Sequence, residues 1–289
     1  MKKLLLISVV MLSFAFKSDK PAYILYNNSG EKINYKLMLD DLSNADVIFF
    51  GELHNNTIAH WFEFEIANDL INKKNKELIF GAEMFEADNQ LILDEYLNGL
   101  ISEKKFESEA RIWPNYSTDY KPLVNLAKET NSPFIATNIP RRYASIVAKK
   151  GLEELDNLSV EAKKYIAPLP INFDSNVACY KNMMKMSHMP AMKGRQNMNI
   201  AKSQASKDAT MAYFINKNIE KNKIFIHYNG SYHSDNYEGI IWHLKKLNPE
   251  LNIKTITTIT QDNIESIDEE TQKKADYIIL VPSSMTNTY

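Results

Sequence analysis

Short, near-continuous apolar runs punctuate the chain, separated by longer stretches in which apolar residues recur with helical spacing. The runs are Val47-Ile48-Phe49-Phe50, Glu77 to Ala82, Phe134 to Thr137 and Lys223 to Tyr228, followed by Ile253 to Ile259 and Tyr277 to Val281. Unbroken apolarity over such short lengths suits strands buried on both faces of a mainly parallel sheet. Between them, Thr57 to Asn72 sets Ile58, Trp61, Phe62, Phe64, Ile66, Leu70 and Ile71 on one broad helical face. Ala87 to Leu100, Tyr120 to Thr130, Arg141 to Lys149, Ala201 to Asn218 and Tyr237 to Leu247 follow, with Asn, Gly or Pro nearby as stops. This alternation predicts an α/β fold, a mainly parallel sheet flanked by helices. Ahead of it, Tyr23 to Tyr26 and Lys32 to Tyr35 flank the turn signal Asn27-Asn28-Ser29-Gly30 and predict a short N-terminal hairpin. From Leu152 to Asn199 the pattern changes to helical pieces, Pro168 and Pro170, then a Met-rich segment. With no Gly/Ser linker or internal repeat, residues 152–199 read as a helical lid inserted into one domain spanning 16–289.

The first residues read differently again. Lys2 and Lys3 precede an apolar run from Leu4 to Phe16, and a polar stretch follows from Lys17 to Lys20. The run is too short to cross a membrane and has the form of a signal-peptide core, with Ser13 and Ala15 before a plausible cut that removes 1–15. A buried first strand is the alternative. The expectation is an exported protein, periplasmic or membrane-associated facing the periplasm. No cysteine near the cut would carry a lipid.

Composition narrows the chemistry. The formal net charge is −2, from 34 Lys+Arg against 36 Asp+Glu, and the signs are interspersed, which argues against a nucleic-acid binder. The single cysteine, Cys179, excludes an internal disulfide, a paired-cysteine zinc site and covalent c-type haem.

The chemistry gathers at the ends of the apolar runs. The first ends in Gly51-Glu52-Leu53-His54, the second in Glu83-Met84-Phe85-Glu86, the third in Asn138-Ile139-Pro140-Arg141-Arg142 and the fourth in Asn229-Gly230-Ser231-Tyr232-His233. In open α/β sheets ligands bind outside the carboxyl ends of the strands. Side chains alternate along a strand, so Glu52 and His54 are expected on one side of it. Glu52, His54, Glu83, Arg141 and His233 are therefore expected in one pocket. Imidazole and carboxylate suit a divalent transition metal held by Glu52, His54 and His233, with Glu83 as general base and Arg141 as anion clamp. Arg142 is the alternative clamp, because Pro140 leaves the helix phase open by one residue. Structural roles compete with each of these: a strand-end histidine satisfied in the core, or Glu83 and Glu86 capping the next helix.

These strand-end motifs, in this order and spacing, resemble the ChaN-like haem-binding uptake family of the Tiki/TraB/erythromycin-esterase superfamily. The resemblance extends to Tyr120-Lys121-Pro122-Leu123, to Ala205 with Asp208-Ala209-Thr210-Met211-Ala212, and to Gly239 six residues after His233. It runs from about Asp46 to Leu247, and the paired Gly-x-x-His motifs at Gly51 and Gly230 are its hallmark. It implies an α/β fold with a helical cover, export, and haem as ligand and partner in haem or iron uptake, with a homodimer and outer-membrane uptake machinery as further partners. Superfamily relatives also imply a metal-dependent hydrolase, protease or esterase. This chain departs from the family in lacking a lipobox cysteine and in carrying His188-Met189-Pro190 where members often have Cys-Gly in the lid.

Two segments could supply haem ligands. Met183, Met184, Met186, Met189, Met192 and Met198 are half of the 12 methionines and surround His188. Thioether and imidazole can ligate haem iron or Cu(I), although adaptable packing of a lid is the simpler use of so much Met. Trp113, Tyr116 and Tyr120 form an aromatic stretch, and the resemblance implies tyrosine ligation of haem. Tyr116 and Tyr120 are the candidates, with a plain core role as the alternative.

Overall fold

The computed structural model describes residues 20–73, 77–186 and 195–289. A seven-stranded sheet is ordered β1 (Ile24–Asn27), β7 (Tyr277–Pro282), β6 (Ile253–Gln261), β2 (Val47–Glu52), β5 (Lys223–Gly230), β3 (Glu77–Glu86), β4 (Phe134–Asn138). All neighbours run parallel except β1 against β7. The expected architecture is therefore present. Helices α1 (Tyr35–Leu42), α2 (Thr57–Asn72), α3 (Gln90–Leu97), α4 (Glu103–Glu109) and α5 (Lys121–Glu129) precede β4. Helices α6 (Arg141–Lys150), α7 (Ala178–Met186), α8 (Arg195–Asn218) and α9 (Ile240–Leu247) follow it.

Both faces of the sheet are covered, which is why its strands read as unbroken apolar runs. Ile48, Phe50, Leu78, Phe80, Ile226 and Tyr228 face the core under α1, α2 and α5, with Phe62, Ile66 and Leu70 of α2 packed on them. Val47, Phe49, Ile79 and Phe225 face the other way, onto Met211 and Ile215 of α8 and Ile240, Ile241 and Leu244 of α9. Helix α2 begins at Thr57 because the Asn56 side chain accepts from the Ile58 and Ala59 N–H groups, a standard N-cap. Its buried face carries His60 and Glu63 among Ala59, Phe62, Ile66 and Leu70.

The N-terminal hairpin exists only as a return. The turn closes at Gly30, and Ile33 donates to the Leu25 carbonyl, but the returning arm contributes one bridge, Tyr26 to Lys32. Tyr35 then opens α1, since Asn34 caps the Leu37 N–H and Met38, Leu39 and Leu42 bury one helical face. Where a lid was expected, turns Leu152–Asn157 and Ala162–Tyr165 precede α7, and α8 starts at Arg195, a turn and more before its expected start. Residues 187–194, His188 included, and the segment expected to be a signal peptide lie outside the described residues.

Candidate functional site

Strand β5 returns from the far edge to lie between β2 and β3, so the carboxyl ends of these three strands adjoin. Outside them opens a cavity of about 630 Å³ whose walls include Glu52, His54, Glu83, Arg141 and His233. The five polar residues at the four strand ends do share one pocket. Within it they form two separate carboxylate–imidazole pairs, and strand phase is the reason. Glu52 continues the Ile48, Phe50 side of β2 toward α2, whereas Glu83 continues the Ile79 side of β3 toward α8.

On the α2 side, His54 Nδ1 meets Glu52 Oε1 at 2.5 Å, and the Tyr120 hydroxyl donates to the same oxygen at 2.7 Å. The His54 ring lies along Gly230, where a Cβ would come within 2.8 Å of its Nε2, so this glycine of the second Gly-x-x-His motif has no room for a side chain. Trp113 stands edge-on to the ring, with centroids 4.9 Å apart. Burial alone would lower the His54 pKa, but the Glu52 carboxylate outweighs it and raises it. Glu52 is itself buried, which favours its neutral form; the His54 hydrogen bond, a second from Glu63 and the nearby His60 overcome this and hold it low. Beneath Glu52, His60 Nδ1 lies 3.0 Å from Glu63 Oε2 and 3.6 Å from Glu52 Oε2. Burial, then the adjacent Glu52 charge, push the Glu63 carboxyl well above its usual range.

On the α8 side, His233 is held from both ends. Its Nε2 meets Glu83 Oε1 at 3.1 Å and its Nδ1 meets Asp208 Oδ1, while Tyr180 donates to Asp208 Oδ2 at 2.8 Å. Burial opposes the imidazolium, yet Glu83 and then Asp208 outweigh it and lift the His233 pKa to about 10. The other Glu83 oxygen accepts the Gly230 N–H at 2.9 Å. Burial favours a neutral Glu83, but the His233 charge and hydrogen bond override it and keep the carboxylate ionised.

This geometry redistributes the roles expected from sequence. The structure does not gather Glu52, His54 and His233 as donors within 4.8 Å of one another, and both His233 nitrogens contact carboxylates. Among the described residues, the one trio of His, Cys, Asp or Glu donors within 4.8 Å of one another is Glu52, His60 and Glu63. Glu83 is a poor general base, since both its oxygens are engaged and its pKa is held down. Arg141 does border the cavity, with its guanidinium largely exposed and Nε 3.9 Å from Glu86 Oε1; Arg142 turns away to Asp88. Tyr116 and Tyr120 are not at the cavity wall. Tyr116 packs in the core against Phe85 and Phe106, and Tyr120 is buried behind Glu52. Burial raises both phenol pKa values, and for Tyr120 the Glu52 charge raises it further.

Sequence reading missed the partners. Asp208 lies in the Asp-Ala-Thr-Met-Ala segment without having been assigned a role, and Lys207 beside it lines the cavity with Tyr232 and Tyr289. His60 and Glu63 could have been found as two ionisable residues, i and i+3, on the apolar face of a strongly patterned helix. Asp119, 3.4 Å from His60 Nε2, left no comparable signal.

The sequence profile of a family described as haem-binding uptake, Tiki superfamily, ChaN, matches residues 38–244. The chain belongs to this family. Among solved structures, a ChaN of Campylobacter jejuni, described with cofacial heme binding, superposes on this ChaN-family chain with a TM-score of 0.70 at 19% identity, covering 90% of this chain and 97% of that one. An erythromycin esterase mutant, EreC, in its open conformation gives 0.51 at 11% identity, with 90% and 97% covered. A succinoglycan biosynthesis protein gives 0.50 at 12% identity, with 86% and 90% covered. At these identities the likeness is one of fold. No curated protein sequence matches the chain.

Proposed function

We propose that the chain is an exported haem-binding protein that takes part in haem or iron uptake, with haem seated in the strand-end cavity. The observation that carries this reading is the cavity's donor set, in a chain of the haem-binding uptake family. Haem is a flat apolar ring with two carboxylates, and the walls offer Trp113, Ile139 and Tyr232 for the ring and Arg141 and Lys207 for the carboxylates. His54 would hold the iron through Nε2, because Glu52 occupies Nδ1; a carboxylate on the far ring nitrogen is how metal-binding imidazoles are generally oriented. Bound there, haem would supply a ferric iron able to take a further protein donor. The exposed Tyr289 phenol is the second candidate donor. Residues 152–199 would act as the lid over this ligand. The N-terminal Lys2-Lys3 and the apolar run to Phe16 support export, which fractionation of cells making the full chain would check. A homodimer and outer-membrane uptake machinery remain the partners this role calls for.

Hemin titration of the chain tests the reading. The expected result is a saturable Soret shift at fixed stoichiometry, weakened at least tenfold by His54→Ala and unaffected by Tyr116→Phe. No saturable shift would overturn it. A shift that survives His54→Ala but falls with Tyr289→Phe would move the iron to the phenol.

One observation favours a second reading, hydrolysis of an ester or peptide. His54, oriented by Glu52 and with a raised pKa, has the arrangement of a general base at a cavity wall. This moves the base from Glu83 to His54. A hydrolysis screen with and without added manganese, cobalt or zinc separates the two; turnover abolished by His54→Ala would favour the enzyme.

A further inference from the structure

We propose that Glu52, His60 and Glu63 form a divalent transition-metal site under the floor of the strand-end cavity, sharing Glu52 with the His54 pair but using neither Gly-x-x-His histidine and not resting on the haem reading.

The argument begins with acceptors that face one another. Glu52, His60 and Glu63 are 1%, 8% and 0% exposed. His60 Nε2 lies 3.1 Å from the His54 carbonyl, which can only accept, so Nε2 carries the proton. With Nε2 turned to that carbonyl, Nδ1 is the nitrogen that faces the two carboxyls. A proton on Nδ1 could satisfy one of their oxygens alone, and Glu52 Oε2 and Glu63 Oε1 meet no other donor among the described residues except a proton held between the two carboxyls. Two carboxyls facing each other in a buried pocket need a shared proton or a cation between them, and the imidazole beside them gives a cation its third donor.

The spacing is that of a coordination shell. His60 Nδ1 is 3.6 Å from Glu52 Oε2 and 3.0 Å from Glu63 Oε2. Ligands bound at about 2.1 Å stand about 3.0–3.4 Å apart in octahedral or tetrahedral geometry. One imidazole with two carboxylates selects zinc, manganese or ferrous iron over calcium or copper(I). The His54 carbonyl on Nε2, with Asp119 Oδ2 3.4 Å away, is the outer acceptor that orients a metal-binding imidazole. A second cavity of about 460 Å³, lined by His60, Trp61, Phe64 and Asp119, borders the imidazole on its Asp119 side. Local structure builds the trio: Glu52 ends β2 facing α2, and His60 and Glu63 share one turn of that helix.

The test uses haem-free protein stripped with chelator and titrated with manganese, zinc or cobalt(II). The expected result is one ion per chain, a rise in Tm on metal addition to the unmutated chain, and visible cobalt bands of a nitrogen–oxygen shell. Glu63→Gln, nearly isosteric, should weaken binding at least 100-fold, and His54→Ala and His233→Ala should leave it within threefold. The unmutated chain reports even if a variant fails to fold. A Tm and metal content unchanged by all three ions would overturn the proposal and leave a proton shared between the carboxylates. Binding retained in Glu63→Gln but lost in His54→Ala or His233→Ala would overturn it by placing the metal in the haem cavity.

Discussion

The two Glu–His pairs at the strand ends use the same residue types a few ångströms apart and are built for different purposes. His233 sits between two carboxylates, 6% exposed, with both nitrogens engaged; His54 has one carboxylate, one nitrogen left over and a side chain 36% exposed at the cavity wall. A doubly clamped imidazolium is a structural charge, tying β3 to α8 through Glu83 and Asp208. A singly held imidazole beside a cavity is available to a ligand. Motif symmetry therefore conceals a division of labour, and what decides it is the number of acceptors around each ring.

The largest expected effect separates the two directly. His233→Ala leaves Glu83 and Asp208 buried without their shared cation, and breaking such a pair costs about 3–5 kcal/mol. His54→Ala removes a partly exposed ring from Glu52, which keeps the Tyr120 hydrogen bond, and should cost only about 1 kcal/mol. Urea unfolding of the two variants checks this, and equal losses would break the comparison.

Next comes pH. The His233 pKa is about 10 when folded against 6.5 unfolded, so its contribution to stability is complete below 6.5 and lost as pH rises toward 10. Glu83 behaves oppositely: its folded pKa is lowered, so its contribution is present above 4.5 and drains away as pH falls below that value. The urea midpoint should fall on both sides of this window. In Asp208→Asn, which removes one of the two charges that raise the His233 pKa, the alkaline decline should still begin near 6.5 but end at lower pH and be smaller in total. An unchanged alkaline limb would detach it from His233.

Much of this was legible in sequence, and the missing part has one cause. The strands announced themselves because both faces are buried, and α2 was readable to the residue because Asn56 caps a long apolar face. Helix α1 was not, since Met38, Leu39 and Leu42 are sparse among Lys36, Asp40 and Asp41. Strand-end position grouped Glu52, His54, Glu83, Arg141 and His233 correctly. Their pairing depends on register, which is non-local: Phe49, His227 and Gly81 align across β2, β5 and β3 and so share a face, which puts Glu52 and Glu83 on opposite sides. No single strand carries that information. The partners Asp208, His60 and Glu63 come from helices whose placement follows from the same topology.

Smaller effects sharpen the α2 side. Tyr120→Phe takes from Glu52 Oε1 a buried hydrogen bond to a charged acceptor, at a cost of about 1.5–2 kcal/mol in urea unfolding. Because the phenol supports Glu52 and does not reach the cavity, the variant should alter hemin affinity only through His54, by less than the loss of His54 itself.

The smallest effect is expected at Tyr116, and it is the most discriminating for haem. Tyr116 and Tyr120 are both aromatic, both 2% exposed or less, and a turn apart on the π-helical segment Tyr116–Tyr120. They differ at the hydroxyl: Tyr120 meets Glu52, while the Tyr116 oxygen has no hydrogen-bond partner among the described residues. A hydroxyl buried without a partner costs stability, so deleting it while keeping the ring should be neutral or stabilising by up to about 1 kcal/mol. The ring contacts with Phe85 and Phe106 that fix the residue in the core are retained by phenylalanine. A tyrosine that ligated haem would behave in the reverse way, with Tyr116→Phe stripping the Soret shift while leaving the apo protein's stability alone. Urea unfolding and hemin titration of this one variant therefore give opposite signatures for the two roles, and the geometry predicts a stability that holds or rises and a titration that does not change.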